Sequence, residues 1–221
     1  MSSKQTLVHM FVVLLFVTLA GCGQPADHTP DTPAGVLEVR IVPAAQVEAN
    51  KEVAAEIMPV LEAFFWGATE ERRSLVQYIS VGCTTADGLG GPPKCAPGEA
   101  EGTLVEVFPV GEAEGYFVRP EEIDRTLEFT VDGLYAVYRP APGIDPVEYW
   151  PVGEYALLFE RQIYNTSQPV TVFVQDDKLV RLGFSPFPVD PAQSLSEIPL
   201  DRILIPPEEA KALTGRVKSP R

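Results

Sequence analysis

Histidine, cysteine and basic side chains are scarce in this sequence of 221 residues: two histidines, three cysteines, and 17 Lys and Arg against 31 Asp and Glu. Each scarcity removes a class of function. The histidines are His9 and His28, both ahead of residue 49, where helical patterning begins. The domain that follows therefore has no Ser-His-Asp or Cys-His constellation, no His-ligated zinc or haem, and no imidazole proton shuttle. A formal charge of -14 argues against DNA, RNA and anionic membrane surfaces, which select clustered Lys and Arg. Asp-x-Asp-x-Asp-Gly does not occur, Asp176-Asp177 being the nearest approach to a calcium loop. The Gly-Leu-Gly-Gly-Pro-Pro stretch at 88–93 is not a phosphate cradle, because it lacks the required spacing and its prolines have no amide to offer. No metal or cofactor is expected. In quantity the sequence has proline, 22 residues, and an apolar content of 45%, enough for one globular domain with appendages.

The N-terminus carries Lys4 and then an apolar run over 7–19 broken by His9 and Thr18. That run is too short to be read as a transmembrane helix. It ends in Leu19-Ala20-Gly21-Cys22, which resembles the lipobox of bacterial lipoproteins. The resemblance implies that 1–21 is a signal peptide and that Cys22 is lipidated. The mature protein would then be extracytoplasmic, held to the cell membrane or outer membrane by acyl chains. Residues 22–48 read as a flexible tether, with a short strand at 36–42. Cys83 and Cys95 bracket a Gly- and Pro-rich loop. Outside the cytoplasm the pair reads as a structural disulfide, stabilising by about 3 kcal/mol in the chain-entropy picture. A redox CxxC needs tighter spacing, and a metal site needs more ligands. Asn165-Thr166-Ser167 matches a glycosylation acceptor but reads as a loop before a strand.

From 49 to 65, Val53, Ile57, Met58, Leu61, Phe64 and Phe65 recur at helical spacing, with Pro59 predicting a kink or restart. Thr69 is placed to cap a second helix over 70–79. A strand at 103–110 follows, then a helix over 120–132 opened by Pro120 and stopped by Gly133. Strands are expected at 134–139, 155–161, 170–175 and 179–184. This order, helices and then a run of hairpins, predicts an α+β domain over 49–184 with an antiparallel sheet. For the hairpin at Asp176-Asp177-Lys178 a three-residue connection is favoured, because a two-residue loop would set Val172 opposite Arg181 and spoil the apolar face. The Pro-rich tail, 185–221, is expected to wrap the sheet, with a short helix over 207–213.

The helical pair 52–79 with Phe64-Phe65-Trp66-Gly67 at its turn, the helix 120–132, and the closing Lys178-Leu179-Val180-Arg181-Leu182-Gly183-Phe184 together resemble the nuclear transport factor 2-like superfamily. That group includes ketosteroid isomerase and the SnoaL-type polyketide cyclases. The resemblance implies a curved sheet wrapped on a helical hairpin and a third helix, a cone that often holds a pocket. The cyclases' Asp-His arrangement is closed to a domain without histidine. An enzyme on this frame would be of isomerase or dehydratase type, using a carboxylate and a Tyr donor, with Glu160 and Tyr138 as the catalytic candidates and Tyr78 and Arg161 as second choices. Tyr149 and Trp150, in a Pro-rich loop, are either a ligand contact or a cap on the core, the cap being preferred. A non-enzymatic module asks less of the sequence and is the favoured reading. Its partner would be a small apolar or glycan ligand or an envelope protein, and dimerisation through the outer sheet face is a third reading.

Overall fold

The computed structural model describes residues 44–88, 91–111, 115–141, 149–185 and 187–217. The signal sequence, Cys22 and the expected strand at 36–42 lie outside the described residues. The first element, helix α1 (Ala44–Phe65), begins five residues earlier than the periodicity suggested and continues through Pro59 without a restart. Residues 44–48 thus belong to a helix and not to a tether, in keeping with the helix-forming run Ala44-Ala45-Gln46-Val47-Glu48. Val53, Ile57, Val60, Leu61 and Phe64 are buried along one side of α1. Full burial of each such side chain contributes about 1.5–3 kcal/mol.

Helix α2 (Thr69–Leu75) is capped at Ala68, with Glu71 accepting from the Ala68 amide, so Thr69 is not the cap. It also ends four residues short of the expected end. Val76 turns extended and bridges Leu179, the Gln77 amide donates to the Leu179 carbonyl, and Ile79 enters strand β1 (Ile79–Gly82). Sheet pairing has overridden a weak helical preference in a β-branched stretch. Strand β2 (Leu104–Gly111) follows, then β3 (Tyr116–Val118), which the sequence pattern did not suggest.

The expected helix over 120–132 starts at Pro120 as read but stops five residues early, after Leu127. A single 3-10 turn, Pro120–Glu122, leads into the short α3 (Ile123–Leu127), and the chain then leaves the helix. The Asp132 amide donates to the Glu160 carbonyl and Gly133 opens strand β4 (Gly133–Tyr138). Strands β5 (Tyr155–Ile163), β6 (Thr166–Gln175) and β7 (Lys178–Phe184) complete a meander. Both of its tight connections are two-residue turns with left-handed backbone, Tyr164 and Asn165 at φ 49° and 64°, Asp176 and Asp177 at 48° and 58°. Such turns match the strand twist. The Asn165-Thr166-Ser167 triplet accordingly spans the first turn and the start of β6.

The β6–β7 connection is shorter than expected, and two of the three expected pairs survive, while Val174 faces Leu179 and not Val180. A register shift between Phe173 and Val174 restores Val172 opposite Leu182 and Val170 opposite Phe184. A bulge does the work that a third loop residue would have done.

With β8 (Ile203–Ile205) at one edge, the strand order is β1-β2-β7-β6-β5-β4-β8, and β3 lies beside β2. The sheet is curved, unclosed and mainly antiparallel. Its parallel seam joins β2 to β7 through Val110↔Leu182 and Gly111↔Gly183. The tail beyond 184 is part of this architecture: α4 (Pro191–Ser196), a 3-10 turn, β8 (Ile203–Ile205) paired with β4, and α5 (Pro207–Val217). Thr214 Oγ1 accepts from the Leu134 amide, and Asn50 Nδ2 donates to Glu209 at 3.0 Å, tying α5 to β4 and α1.

A main core lies between α1 and the sheet, containing Phe108, Leu157, Phe159, Val170, Val172, Leu179 and Leu182. A smaller one surrounds Val81, Cys83, Val105 and Val107. The Cys83–Cys95 disulfide, with Cα atoms 4.9 Å apart, closes the Gly- and Pro-rich loop against that second core.

Candidate functional site

Along β5, Tyr155, Leu157, Phe159 and Arg161 share the face turned to α1, since side chains alternate in a strand. The two middle residues are fully buried, and Phe159 stacks on Phe64 of α1 with centroids 5.4 Å apart. The space between α1 and the sheet is therefore filled by side chains at its centre. Its polar ends, Tyr155 and Arg161, lie about 20 Å apart along the strand. Each lines its own solvent-open cleft.

The first cleft encloses about 620 Å³ between α1 and the β6–β7 turn, at the start of β5, lined by Glu56, Arg139, Glu154, Tyr155, Val174, Asp176 and Asp177. That volume suits a small ligand. Within it the Tyr155 hydroxyl donates a short hydrogen bond to the Glu56 carboxylate, pushing the tyrosine pKa up to about 12, with burial adding to the effect. Because the folded value lies above the ordinary 10.0, the stabilisation from this bond is complete below pH 10. It is lost as the pH rises through 12. An ultraviolet phenolate titration should show one tyrosine ionising near the top of this range, and Tyr155→Phe should remove that step. A step that survives in Tyr155→Phe belongs to another residue.

The carboxylate and tyrosine foreseen as catalytic are not brought together. Tyr138 pairs with Ala156 and Gly133 with Glu160, so Tyr138 and Glu160 stand four strand positions, about 13 Å, apart. Both occupy the outer face of the sheet. Glu160 accepts from the Ser167 hydroxyl at 2.9 Å. Burial raises the Tyr138 pKa, against the opposing influence of the Thr171 hydroxyl and Arg181. Tyr78 packs at the edge of the main core, and burial pushes its pKa upward as well. Tyr149 rests on the second core, and Trp150 packs at a tilt against Phe117, centroids 5.0 Å apart, over Gly115, where a Cβ would fall 2.2 Å from the indole. These two aromatics cap packed residues.

The chain matches no known family, no curated protein and no solved structure.

Arg161 does line a cleft, the second one, of about 630 Å³, with Tyr116, Phe117, Phe129, Phe184 and a set of charged side chains. Its guanidinium lies 4.8 Å from the Phe184 centroid, and Nη2 donates to Gln168 Oε1 at 2.7 Å.

Sequence reasoning missed the residue that joins the end of α1 to the end of α3. Arg72 is buried at 7% exposure. Its guanidinium donates to the carbonyls of Ala63 (3.1 Å), Phe64 (3.1 Å), Leu127 (2.9 Å) and Phe129. The first two are terminal carbonyls of α1 and the third closes α3, positions that helices leave unsatisfied and partly negative. Burial lowers the Arg72 pKa from the ordinary value, yet a guanidinium remains protonated in proteins. Glu56 and Tyr155 were equally unmarked in the sequence, one a polar position on an amphipathic helix and the other a strand's first residue.

Proposed function

We propose that this chain is a lipid-anchored extracytoplasmic protein whose folded domain binds a small cationic ligand in the Glu56–Tyr155 cleft, on a frame of the nuclear transport factor 2-like kind. The Leu19-Ala20-Gly21-Cys22 sequence supports the anchor, and the disulfide suits an oxidising compartment. The long helix laid across a curved sheet supports the frame. The observation that carries the binding reading is the Glu56–Tyr155 pair in an open cleft beside Glu154, Asp176 and Asp177, with Arg139 as the cationic lining residue. Four carboxylates against one guanidinium favour an amine and disfavour an anion.

Binding is preferred over acid-base catalysis for a physical reason. A general acid works best with a pKa near the operating pH, and Tyr155 is held near 12.

Titration calorimetry with putrescine, spermidine and choline tests the reading. Saturable binding of an amine is expected, weakened about tenfold by Glu56→Gln, which removes one unit of charge at the floor of the cleft. Absence of saturable binding across the three amines would refute it.

A further inference from the structure

The second cleft has a different chemistry from the first and sits at the opposite end of the β5 core face. Its floor holds Phe129 and Phe184, and its near wall is β3, where Tyr116 is 43% exposed and Phe117 stands beside it. The charged lining is mixed, with Glu121, Glu122 and Glu128 against Arg125 and Arg161, a net of -1 for the five. A cleft with more carboxylates than guanidiniums repels an anion. An open, partly aromatic surface also offers too little enclosure for a purely apolar molecule. Aromatic faces interleaved with both acceptors and donors suit a ligand with flat C–H faces and many hydroxyls. Carboxylates accept from such hydroxyls, and a planar guanidinium donates to two neighbouring oxygens at once. We infer that this cleft binds a neutral oligosaccharide, one sugar ring lying on Tyr116 and its hydroxyls bridging the Glu121 to Arg125 edge.

Two details prepare the site for that task. Gln168 stands directly across from Arg161 in the β5–β6 register and uses both ends of its amide, accepting from Arg161 Nη2 and donating to the Ser185 carbonyl at 2.5 Å. The guanidinium is thereby fixed over Phe184 before any ligand arrives, which lowers the ordering cost of binding. On the other wall, Phe117 is backed by the Trp150 ring at 5.0 Å. That contact supplies an optical reporter. The inference stands apart from the amine reading, because the two clefts have no lining residue in common.

The test uses the full mature chain with Trp66→Phe, so that Trp150 is the sole tryptophan, titrated with chitotriose, cellotriose and maltotriose. Saturable change in Trp150 fluorescence with at least one trisaccharide is expected. Tyr116→Ala and Glu121→Gln, both on exposed side chains, should each weaken it about tenfold, by loss of a stacking face or by replacing a charged two-oxygen acceptor with a neutral amide that has one. Leu104→Ala, at an exposed position outside the cleft lining, should leave it unchanged. No saturable response to any of the three sugars overturns the inference. So does a response that Tyr116→Ala and Glu121→Gln leave intact.

Discussion

Replacing Arg72 by Ala should cost this domain about 4 kcal/mol, one of the largest losses available to a single substitution here. The reasoning starts from the carbonyls, not from the arginine. Those of Ala63, Phe64, Leu127 and Phe129 are gathered around one guanidinium at the junction of α1 and α3. Each buried acceptor left without a donor costs about 1–3 kcal/mol, reduced where water can enter. The cationic contacts with the Phe64 and Phe129 rings, at 5.1 and 5.7 Å, disappear as well. Arg72→Lys keeps the charge but not the planar fork that reaches both helix ends, so it should recover about half of the loss. Urea unfolding reads both variants through a shift in midpoint at constant slope. A loss below about 1 kcal/mol for Arg72→Ala would show that the carbonyls find water, and would remove the clasp from the account of α3.

The second large effect is expected at Phe159. Its ring is fully buried, stacked on Phe64 at 5.4 Å and met edge-on by Phe65 at 5.9 Å. Truncation to Ala should destabilise by about 3–5 kcal/mol, transfer loss and cavity together. The same change has a second readout. Phe159 lies between Tyr155 and Arg161 on one strand face, so the void would open in the plug that separates the clefts. A crystal structure of Phe159→Ala should show either that void or a collapse of Phe64 into it. Stability lost without either rearrangement would place the effect in the unfolded state.

Some of this architecture was readable from the residues and some was not, for identifiable reasons. The apolar stripe of α1 was legible from its helical period, and strands β5 and β7 as short apolar runs bounded by turn residues. The same holds for the Val172 and Leu182 pairing, which is fixed by the need to bury one face. The bulge that delivers it has no sequence signature. The 120–132 helix was read too long because Pro120, Glu121 and Glu122 mark where a helix can start and say nothing of how far it runs. Its end is set by Arg72 and by the Asp132 amide joining Glu160, both distant in sequence. Arg72 itself sits beside Arg73 in a Glu-Glu-Arg-Arg run. One arginine is buried and the other pairs with Asp124 at 2.8 Å near the surface. Position three before Leu75 puts Arg72 on the apolar side, a faint signal that charge composition drowned. At the first cleft, the joining of Glu56 to Tyr155 across 99 residues depends on where a helix crosses a sheet. Local pattern carries no trace of that.

The parallel seam between β2 and β7 has a bearing on the order of assembly. Val110 and Leu182 are about 70 residues apart in the chain, whereas β5, β6 and β7 are linked by two-residue turns. Closing the long loop costs more chain entropy than closing either hairpin. The meander can therefore form from its own neighbours, while the seam carries the larger closure cost. Until the seam forms, α1 has only part of the surface it is built to cover.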